Sequence, residues 1–384
     1  MKRRNGLGAL LAVAAGPALT FGPSARARSL RVRRGDRLHD AVAAARDGDT
    51  VELEAGAHHG QTALITQRQL TLRGVGGRAV LHADGAHEAG KALIVVRGGQ
   101  VRIEDLEFRG ARVPDGNGAG IRFEQGALTL QRCAFFDNEM GLLSSNTPDA
   151  DLVVEDCEFG AAPRHEGALH HLLYVGTLRS LTLSGSRFWG GWRGHLVKSR
   201  AARNLIRCNQ LLDGDSGGAS YELDLPNAGL AWVLGNVIGQ GPRQQNPALL
   251  AYGADGQPHP DSALYVAHNS FVNGAAWPAT FVRHWPERLP PGTPVVLRNN
   301  LLAGPAMPGS GGRREDGNLA LRLDDLDPSA GPRVLPRPGL TWPVVANAGD
   351  GRGLSLTPTH EITFPVGLRP LAARDAWRPG AFQD

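Results

Sequence analysis

VRIEDLEFRG (101–110) and LTLQRCAFFD (128–137) are two copies of one repeating unit. In each copy, alternating apolar residues precede a turn residue, and another large apolar residue follows two positions after it. Apolar residues at every second position indicate a β-strand with one buried face. The unit recurs as LVVEDCEFGA (152–161), LTLSGSRFWG (181–190), NLIRCNQLLDG (204–214), AWVLGNVIGQG (231–241), LYVAHNSFVNG (264–274) and VVLRNNLLAGP (295–305).

The turn residues of these units are spaced irregularly, by 23 to 33 positions. A drifting period, short strands and 51 glycines are typical of a solenoid, because each coil tolerates loop insertions while its strands stay stacked. We therefore predict an all-β, single-domain solenoid of stacked parallel strands. The turn residues are Leu106, Cys133, Cys157, Ser186, Asn209, Asn236, Asn269 and Asn300, and we expect the four Asn to form a hydrogen-bonded ladder along the stack.

The beginning of the chain fits the same fold. Residues 37–56, RLHDAVAAARDGDTVELEAG, combine a short amphipathic helix (Leu38, Val42 and Ala45) with a turn into a strand from Thr50. A solenoid needs such a cap, since its first coil exposes apolar side chains and unpaired backbone groups. We assign residues 28–60 to the N-terminal cap and entry, 61–305 to the coils and 306–384 to an irregular, Pro/Gly-rich C-terminal wrap.

Residues 1–27 have the features of an export signal peptide. A basic start at residues 2–4 precedes an apolar run at residues 7–21, and Ala25-Arg26-Ala27 supplies a cleavage site. The apolar run is too short to span a membrane comfortably. We expect export by the Sec or Tat route to the periplasm or the medium, no membrane span after cleavage, and a monomer.

The charge balance argues against a nucleic-acid partner. Four of the 41 Lys and Arg residues, and none of the 37 Asp and Glu residues, lie in the signal peptide. The remaining chain therefore carries 37 residues of each sign and is formally neutral. Since nucleic-acid binding relies on an excess of basic residues, we exclude that class of function.

Three cysteines do not make a disulfide framework in an exported chain of this length. Cys133 and Cys157 occupy equivalent positions in successive repeats, so they are expected to stack on adjacent strands about 4.8 Å apart. That spacing lies within disulfide range. A disulfide and a pair of buried free thiols both stay open at this point.

These repeats, the capped entry and the Asn ladder resemble the right-handed parallel β-helix, or pectin-lyase-like, superfamily. Within it, Val197-Lys198-Ser199 followed by an N-x-I-x-x-N turn from Asn204 to Asn209 resembles the chondroitinase-B and alginate-lyase group. The resemblance implies a polysaccharide lyase in which Lys198 is the Brønsted base. Where that group has an arginine on the next rung, this chain has the acidic strand SYELDLPN (220–227).

A second strand upstream of each turn residue carries the candidate site. Counted back from the ladder, Tyr174, Lys198 and Asp224 stand 12, 11 and 12 residues before their turn residues, so we expect one outward column with one residue per rung. Tyr252 is expected to join the column, and Glu222 to share its face, because strand side chains alternate. Flanking residues complete a strip suited to an extended polysaccharide or oligosaccharide: His171, His195, Arg200, Tyr221, Arg283 and His284. The alternative is an ordinary polar face of a solenoid.

The chemistry favoured here is β-elimination of an acidic, uronate-containing polysaccharide. A lysine base must lose its proton, whereas carboxylates one rung away favour the charged form. We therefore expect Lys198 to act as base only if a cation, Ca²⁺, occupies the acids Asp213, Asp215, Glu222 and Asp224, whose oxygens are the ligands Ca²⁺ takes. Alternatively, Tyr174 or Tyr252, paired with His171 or His195, supplies base and acid.

Two other functions stay open on the sequence. Glu222 and Asp224, at i and i+2, have Cα atoms about 7 Å apart, and their carboxyls are candidates for the acid pair of a glycoside hydrolase. The third function is non-catalytic, a β-helix that binds glycan or acts as a scaffold. For the Asp213-Gly214-Asp215 segment, an ordinary polar turn is as good an interpretation as a metal site.

Overall fold

A computed structural model describes residues 27–165, 169–372, 374 and 376–383, and in these residues the backbone coils into a parallel β-solenoid of about nine turns. The predicted all-β fold is thus confirmed. The predicted signal peptide, apart from residue 27, lies outside the described residues. Among the described residues, no helix is long and apolar enough to cross a membrane.

A short N-terminal helix caps the first coil. Helix α1 (Leu38–Ala44) follows strand β1 (Ser29–Val32). Leu38 and Val42, one helical turn apart, are fully buried in the same apolar cluster as the interior of the first coils. Their burial covers the apolar end that an open solenoid would expose to water.

Three parallel sheets form the walls of the solenoid, and the long strands β2, β4, β5 and β7 each bend through two of them. Sheet I contains β1, β2 (Thr50–His59), β4 (Gln69–His82), β5 (Ala92–Glu104), β7 (Ala119–Gln131), β10 (Asp151–Glu155), β13 (Ser180–Ser184), β16 (Arg203–Arg207), β19 (Leu230–Leu234), β22 (Ala263–Ala267), β25 (Val295–Arg298) and β27 (Arg314–Asp316).

Sheet II follows the ladder turns. It contains the later parts of β2 and β4, then β6 (Leu106–Arg109), β8 (Ala134–Phe136), β11 (Glu158–Gly160), β14 (Arg187–Trp189), β17 (Gln210–Leu212), β20 (Val237–Gln240), β23 (Ser270–Asn273), β26 (Leu301–Ala303) and β28 (Leu319–Leu321).

Sheet III carries the predicted site. It contains β3 (Ala63–Ile65), the earlier parts of β5 and β7, β9 (Met140–Ser144), β12 (Leu173–Val175), β15 (Val197–Ser199), β18 (Leu223–Leu225), β21 (Ala248–Tyr252) and β24 (Thr280–His284).

Inward side chains of equivalent positions stack along the solenoid axis. Phe108, Phe135, Phe159 and Phe188 form one such row, with ring centroids 4.9, 4.4 and 4.7 Å apart. All four are buried. Because successive coils place an apolar residue at the same position, the core is a set of continuous apolar rows that a single coil could not bury alone.

The predicted asparagine ladder is confirmed, and it is one residue longer than predicted. The side-chain amide of each Asn donates to the next along Asn209, Asn236, Asn269, Asn300 and Asn318, at 2.9 to 3.0 Å. Each amide also satisfies a backbone carbonyl of a neighbouring coil, so these buried groups leave no hydrogen-bonding capacity unused.

The ladder positions nearer the N-terminus hold thiols and a hydroxyl instead. The backbone amide of Cys133 donates to the sulfur of Cys157 at 3.4 Å, and that of Cys157 to the hydroxyl of Ser186. All three cysteines are free thiols and buried. Of the two alternatives for Cys133 and Cys157, the structure has the stacked thiols.

After β28, the chain wraps along sheets I and II. The wrap contains short 3-10 helices and two small antiparallel hairpins, β29–β30 and β31–β32. Its Leu356 packs on Trp232 and Tyr265 of sheet I, and its Phe382 on Val237 of sheet II. The 3-10 helices are Pro286–Arg288, which precedes β25, and Leu323–Asp325 and Pro328–Ala330 in the wrap. The hairpin strands are β29 (Asp350–Gly351), β30 (Leu354–Ser355), β31 (His360–Ile362) and β32 (Leu368–Pro370).

Candidate functional site

The outward column on sheet III forms as its spacing predicted. Tyr174 pairs in register with Lys198, and Lys198 with Asp224. These residues lie at the centre of the three-residue strands β12, β15 and β18, whose flanking residues face the core. The column therefore presents a phenol, an ammonium and a carboxylate on consecutive rungs, about 4.8 Å apart.

Asp224 is the charged centre of the site. Its Oδ2 lies 3.2 Å from Lys198 Nζ and 3.3 Å from His195 Nε2. Only 3 % of the Asp224 side chain is exposed, and its Oδ1 is buried without a hydrogen-bond partner among the described residues. Burial raises the pKa of Asp224 to about 6, although Lys198 opposes the shift. At neutral pH Asp224 is therefore mostly a carboxylate.

Two histidines and a tyrosine stack beside the column. The rings of His171 and His195 are 4.8 Å apart, and those of His195 and Tyr221 5.1 Å apart. His171 Nδ1 accepts the backbone N–H of His195 at 2.9 Å, and His195 Nδ1 accepts that of Tyr221 at 3.1 Å. These contacts assign the ring proton to Nε2 in both residues, so that His195 donates to Asp224.

Both imidazoles are uncharged at neutral pH. Burial, with repulsion from Lys198, lowers the pKa of His171 to about 3. Burial above all, and then the neighbouring His171, Lys198 and Arg200, lower the pKa of His195 well below its ordinary value. Neither ring is therefore protonated near neutrality, and the lone pair of each Nδ1 is already engaged by a backbone N–H. Neither is placed to accept a proton from a substrate.

Two cations lie beside the phenol of Tyr174. Arg200 Nε donates to the Tyr174 hydroxyl at 3.2 Å, and Lys198 Nζ lies 5.8 Å from the ring centroid. Arg200 is held in place by Asp255 at 2.7 Å and by the side-chain carbonyl of Asn227 at 2.5 Å. A positive charge fixed beside a phenol stabilises its phenolate.

The sequence reasoning missed Arg122. It occupies the same outward column, separated from Tyr174 by Leu143. Its Nη2 donates to Ser145 Oγ at 3.1 Å, and burial lowers its pKa. Counting the register backwards from Tyr174 finds it, because Arg122 pairs with Leu143 and Leu143 with Tyr174. Asn227 and Asp255 were missed because they lie in loops, which the repeat does not align.

Tyr252 does not join the column, contrary to prediction. Asp224 pairs with Ala251, which places Tyr252 opposite Leu225 in an inward row. Tyr252 is fully buried, its hydroxyl donates to the Gly229 carbonyl at 2.5 Å, and burial raises its pKa. The long loop after β21 hid the register, since the distance to the ladder no longer fixes which residue faces outward.

The prediction that Glu222 shares the face of Asp224 is also wrong. The chain bends as it enters sheet III, so two consecutive residues of each coil face inward: Leu196 and Val197 in one coil, Glu222 and Leu223 in the next. Glu222 is fully buried, and neither carboxylate oxygen has a hydrogen-bond partner among the described residues. Burial, reinforced by Asp213, raises its pKa well above the ordinary value.

The four acids predicted to hold calcium do not come together. Asp213 uses both oxygens on backbone N–H groups, of Gly191 at 2.6 Å and Ala219 at 2.8 Å. Asp215 is exposed, while Glu222 is inside the solenoid. Within the described part of the chain, no group of three or more His, Cys, Asp or Glu side chains is placed to hold a metal ion. These residues do not fit a calcium ion.

Arg283 and His284 lie on opposite sides of sheet III. Arg283 continues the outward column one rung beyond Ala251; it is exposed and stacks on Trp285 at 4.7 Å. His284 pairs with Tyr252 in the inward row and is buried, so it was wrongly predicted to contact substrate. Burial lowers the pKa of His284.

Comparisons with known proteins give structural matches only. No protein-family model and no curated protein sequence matches the chain. The crystal structure of pectate lyase Pel9A is 14% identical, covers 93% of this chain and 96% of its own length, and has a TM-score of 0.55. The PL6-family alginate lyase AlyGC is 16% identical over 80% of this chain, with a TM-score of 0.43, and this chain spans 41% of it. The chain therefore shares the fold of pectate lyase Pel9A over nearly its whole length.

Proposed function

We propose that this protein is an exported carbohydrate-active enzyme that cleaves an acidic, uronate-containing polysaccharide by β-elimination. The observation that carries the proposal is the outward column Tyr174–Lys198–Asp224, where a phenol lies against fixed cations. The signal peptide predicted at residues 1–27 motivates the export. The fold shared with a pectate lyase is compatible with this activity but does not establish it.

Elimination from a uronate needs three things at one place. The carboxylate must be neutralised so that the C5 proton becomes acidic, a base must remove that proton, and the oxygen leaving C4 must be protonated. Lys198 and Arg200 supply the positive charge on the face where the sugar would lie. Because the predicted acid set does not fit Ca²⁺, no step of the proposal depends on a metal.

Tyr174 is the base that the geometry favours. Asp224, 3.2 Å from Lys198 Nζ, stabilises the protonated ammonium, so Lys198 is suited to bind the substrate carboxylate. Arg200 stabilises a Tyr174 phenolate. The phenolate removes the C5 proton, a C4–C5 double bond forms as the C4–O bond breaks, and the phenol returns the proton to the leaving oxygen. Tyr174 thus ends in its starting state.

Glu222 and Asp224 are not placed to act as the acid pair of a glycoside hydrolase. Glu222 faces the core and Asp224 faces outward, so their carboxyl groups lie on opposite sides of one sheet. Two carboxyls so placed cannot flank one glycosidic bond, as hydrolysis of a glycoside requires. The same burial removes Glu222 from any role in binding substrate.

A screen of uronate polymers, including pectate and alginate, tests the proposal. We expect ultraviolet absorbance from the new C4–C5 double bond, and we expect it to persist in the presence of a chelator. New reducing ends without that absorbance would show hydrolysis instead. Loss of activity in chelator and its return with Ca²⁺ would overturn the metal-free chemistry proposed for this site.

A further inference from the structure

A second groove lies on another face of the solenoid, between sheet I and the C-terminal wrap. It consists of two cavities of about 270 Å³ and 220 Å³, which share Leu205 on the sheet and Leu354 on the wrap. We call it the wrap groove. It follows strand β16 from Arg203 to Arg207 and is bordered by the hairpin β29–β30 and the residues after it, through His360.

Each cavity of the wrap groove contains an arginine without an anionic partner. Arg203 is exposed, lines the larger cavity and stacks on Trp232 at 5.3 Å. Arg207 lines the smaller cavity, and its Nε is buried without a hydrogen-bond partner. Among the described residues, neither guanidinium pairs with a carboxylate. A buried guanidinium donor left unpaired costs free energy that an anionic ligand would recover.

The wrap adds further positive charge to the groove. Arg352, at the tip of the β29–β30 hairpin, lines the larger cavity. Arg352 has a φ of 55°, and Gly353 next to it one of 82°. Such a turn normally favours Asn or Gly at the first position, because a bulkier side chain is strained there. Arg352 also forms an ion pair with Asp261, with Nη1 and Oδ1 3.1 Å apart.

The spacing of the cations selects the kind of ligand. Arg203, Leu205 and Arg207 are alternate residues of one strand, so the two arginine Cα atoms are about 13 Å apart with an apolar side chain between them. A compact anion would need cations that converge on one point. Separated cations with hydroxyls nearby, from Thr182 and Thr357, suit a chain whose carboxylates recur along its length.

We propose that the wrap groove binds a second segment of an acidic polysaccharide, with Arg203 and Arg207 contacting carboxylates of different sugar units. The identification of the polymer rests on the proposed function, but the binding does not depend on turnover. The groove lies on sheet I and the Tyr174–Lys198–Asp224 column on sheet III. A segment held in the groove would therefore raise the affinity of the protein for long chains and leave short substrates unaffected.

The test compares two double variants that remove the same charge. Arg203→Gln/Arg207→Gln changes the groove, and Arg33→Gln/Arg37→Gln changes exposed arginines at the N-terminal cap. Both are placed in a Tyr174→Phe background, and binding to pectate and alginate is measured by affinity electrophoresis at two salt concentrations. We expect the groove variant to bind the retaining polymer at least about tenfold more weakly than the cap variant, with a smaller dependence on salt.

Equal binding by the two variants would overturn the proposal. Displacement of the polymer by galacturonic acid or sulfate, at matched concentration of charge, would show a small-anion site and overturn it as well. With Tyr174 intact, the groove variant should keep the kcat of the parent on a uronate tetrasaccharide and show a higher KM on polymer. If no polymer yields an unsaturated product yet the groove variant loses binding, the proposed lyase activity fails and the wrap groove stands.

Discussion

Replacing Glu222 by leucine should stabilise the protein and leave its activity intact. Glu222 occupies a row whose neighbours in the adjacent coils are Leu196 and Leu249, both fully buried. Its carboxyl has no hydrogen-bond partner among the described residues. A buried polar group left unpaired costs about 1–3 kcal/mol, and apolar replacement of buried charged groups gains about 1–4 kcal/mol. Since leucine is slightly larger and must be accommodated, we expect a gain of about 2 kcal/mol.

The gain should depend on pH in a defined direction. Burial raises the pKa of Glu222, so the folded state binds a proton more tightly than the unfolded chain. Stability therefore falls as pH rises above about 4, where the unfolded carboxyl ionises. Glu222→Leu removes that loss, and its advantage over the parent should be larger at pH 8 than at pH 4.

Urea unfolding at both pH values measures the effect, and Glu222→Gln is the matched control. Glutamine removes the charge but keeps an unpaired polar group, so it should recover only the pH-dependent part of the gain. A destabilised leucine variant, or a gain that does not change with pH, would refute the placement of Glu222 in the core. Loss of polymer cleavage in the leucine variant would restore Glu222 as a catalytic candidate.

Three further predictions test other parts of the structure. Asp224→Asn should lower kcat/KM at least about tenfold, because it removes the carboxylate that fixes Lys198 and His195. Burial raises the pKa of Asp224 to about 6, so the activity of the parent should fall as the pH drops through that value. A flat pH–rate profile in that range would contradict the role of Asp224. Asn269→Ala should cost about 2–4 kcal/mol in thermal or urea unfolding, because the backbone N–H and one side-chain N–H of Asn236 lose their acceptor, whereas Asn318→Ala at the end of the ladder should cost less. Asp213→Ala should destabilise the loop before β18 by about 1–3 kcal/mol, since two backbone N–H groups lose their acceptor; faster proteolysis within residues 214–219 would report it, and unchanged proteolysis would count against it.

The sequence was most informative where residues repeat. The Asn ladder occupies the turns themselves, and Tyr174, Lys198 and Asp224 stand at a nearly constant distance from those turns, so counting was enough to place them. The prediction of which side chains face inward and which face outward was wrong where a strand is irregular. The bend before β18 turns Glu222 into the core, and the long loop after β21 shifts the register of Tyr252 by one residue.

The acid cluster shows a second limit of sequence reasoning. Asp213, Asp215 and Asp224 are close in the chain, and carboxylates so spaced are compatible with a metal site. In the structure, Asp213 instead accepts the backbone amides of Gly191 and Ala219 and closes a loop. Backbone partners from another coil leave no trace in residue identity, so the alternative of an ordinary turn could not be separated from a metal site in advance.

The most direct test of β-elimination by Tyr174 is product absorbance from a uronate polymer, measured for the parent, Tyr174→Phe and the matched control Tyr265→Phe. Tyr265 lies on sheet I beneath the wrap, away from the column. We predict unsaturated product from the parent and from Tyr265→Phe, and a loss of at least about a hundredfold for Tyr174→Phe. Full activity in Tyr174→Phe would contradict Tyr174 as the base, and reducing ends without unsaturation in the parent would contradict β-elimination itself.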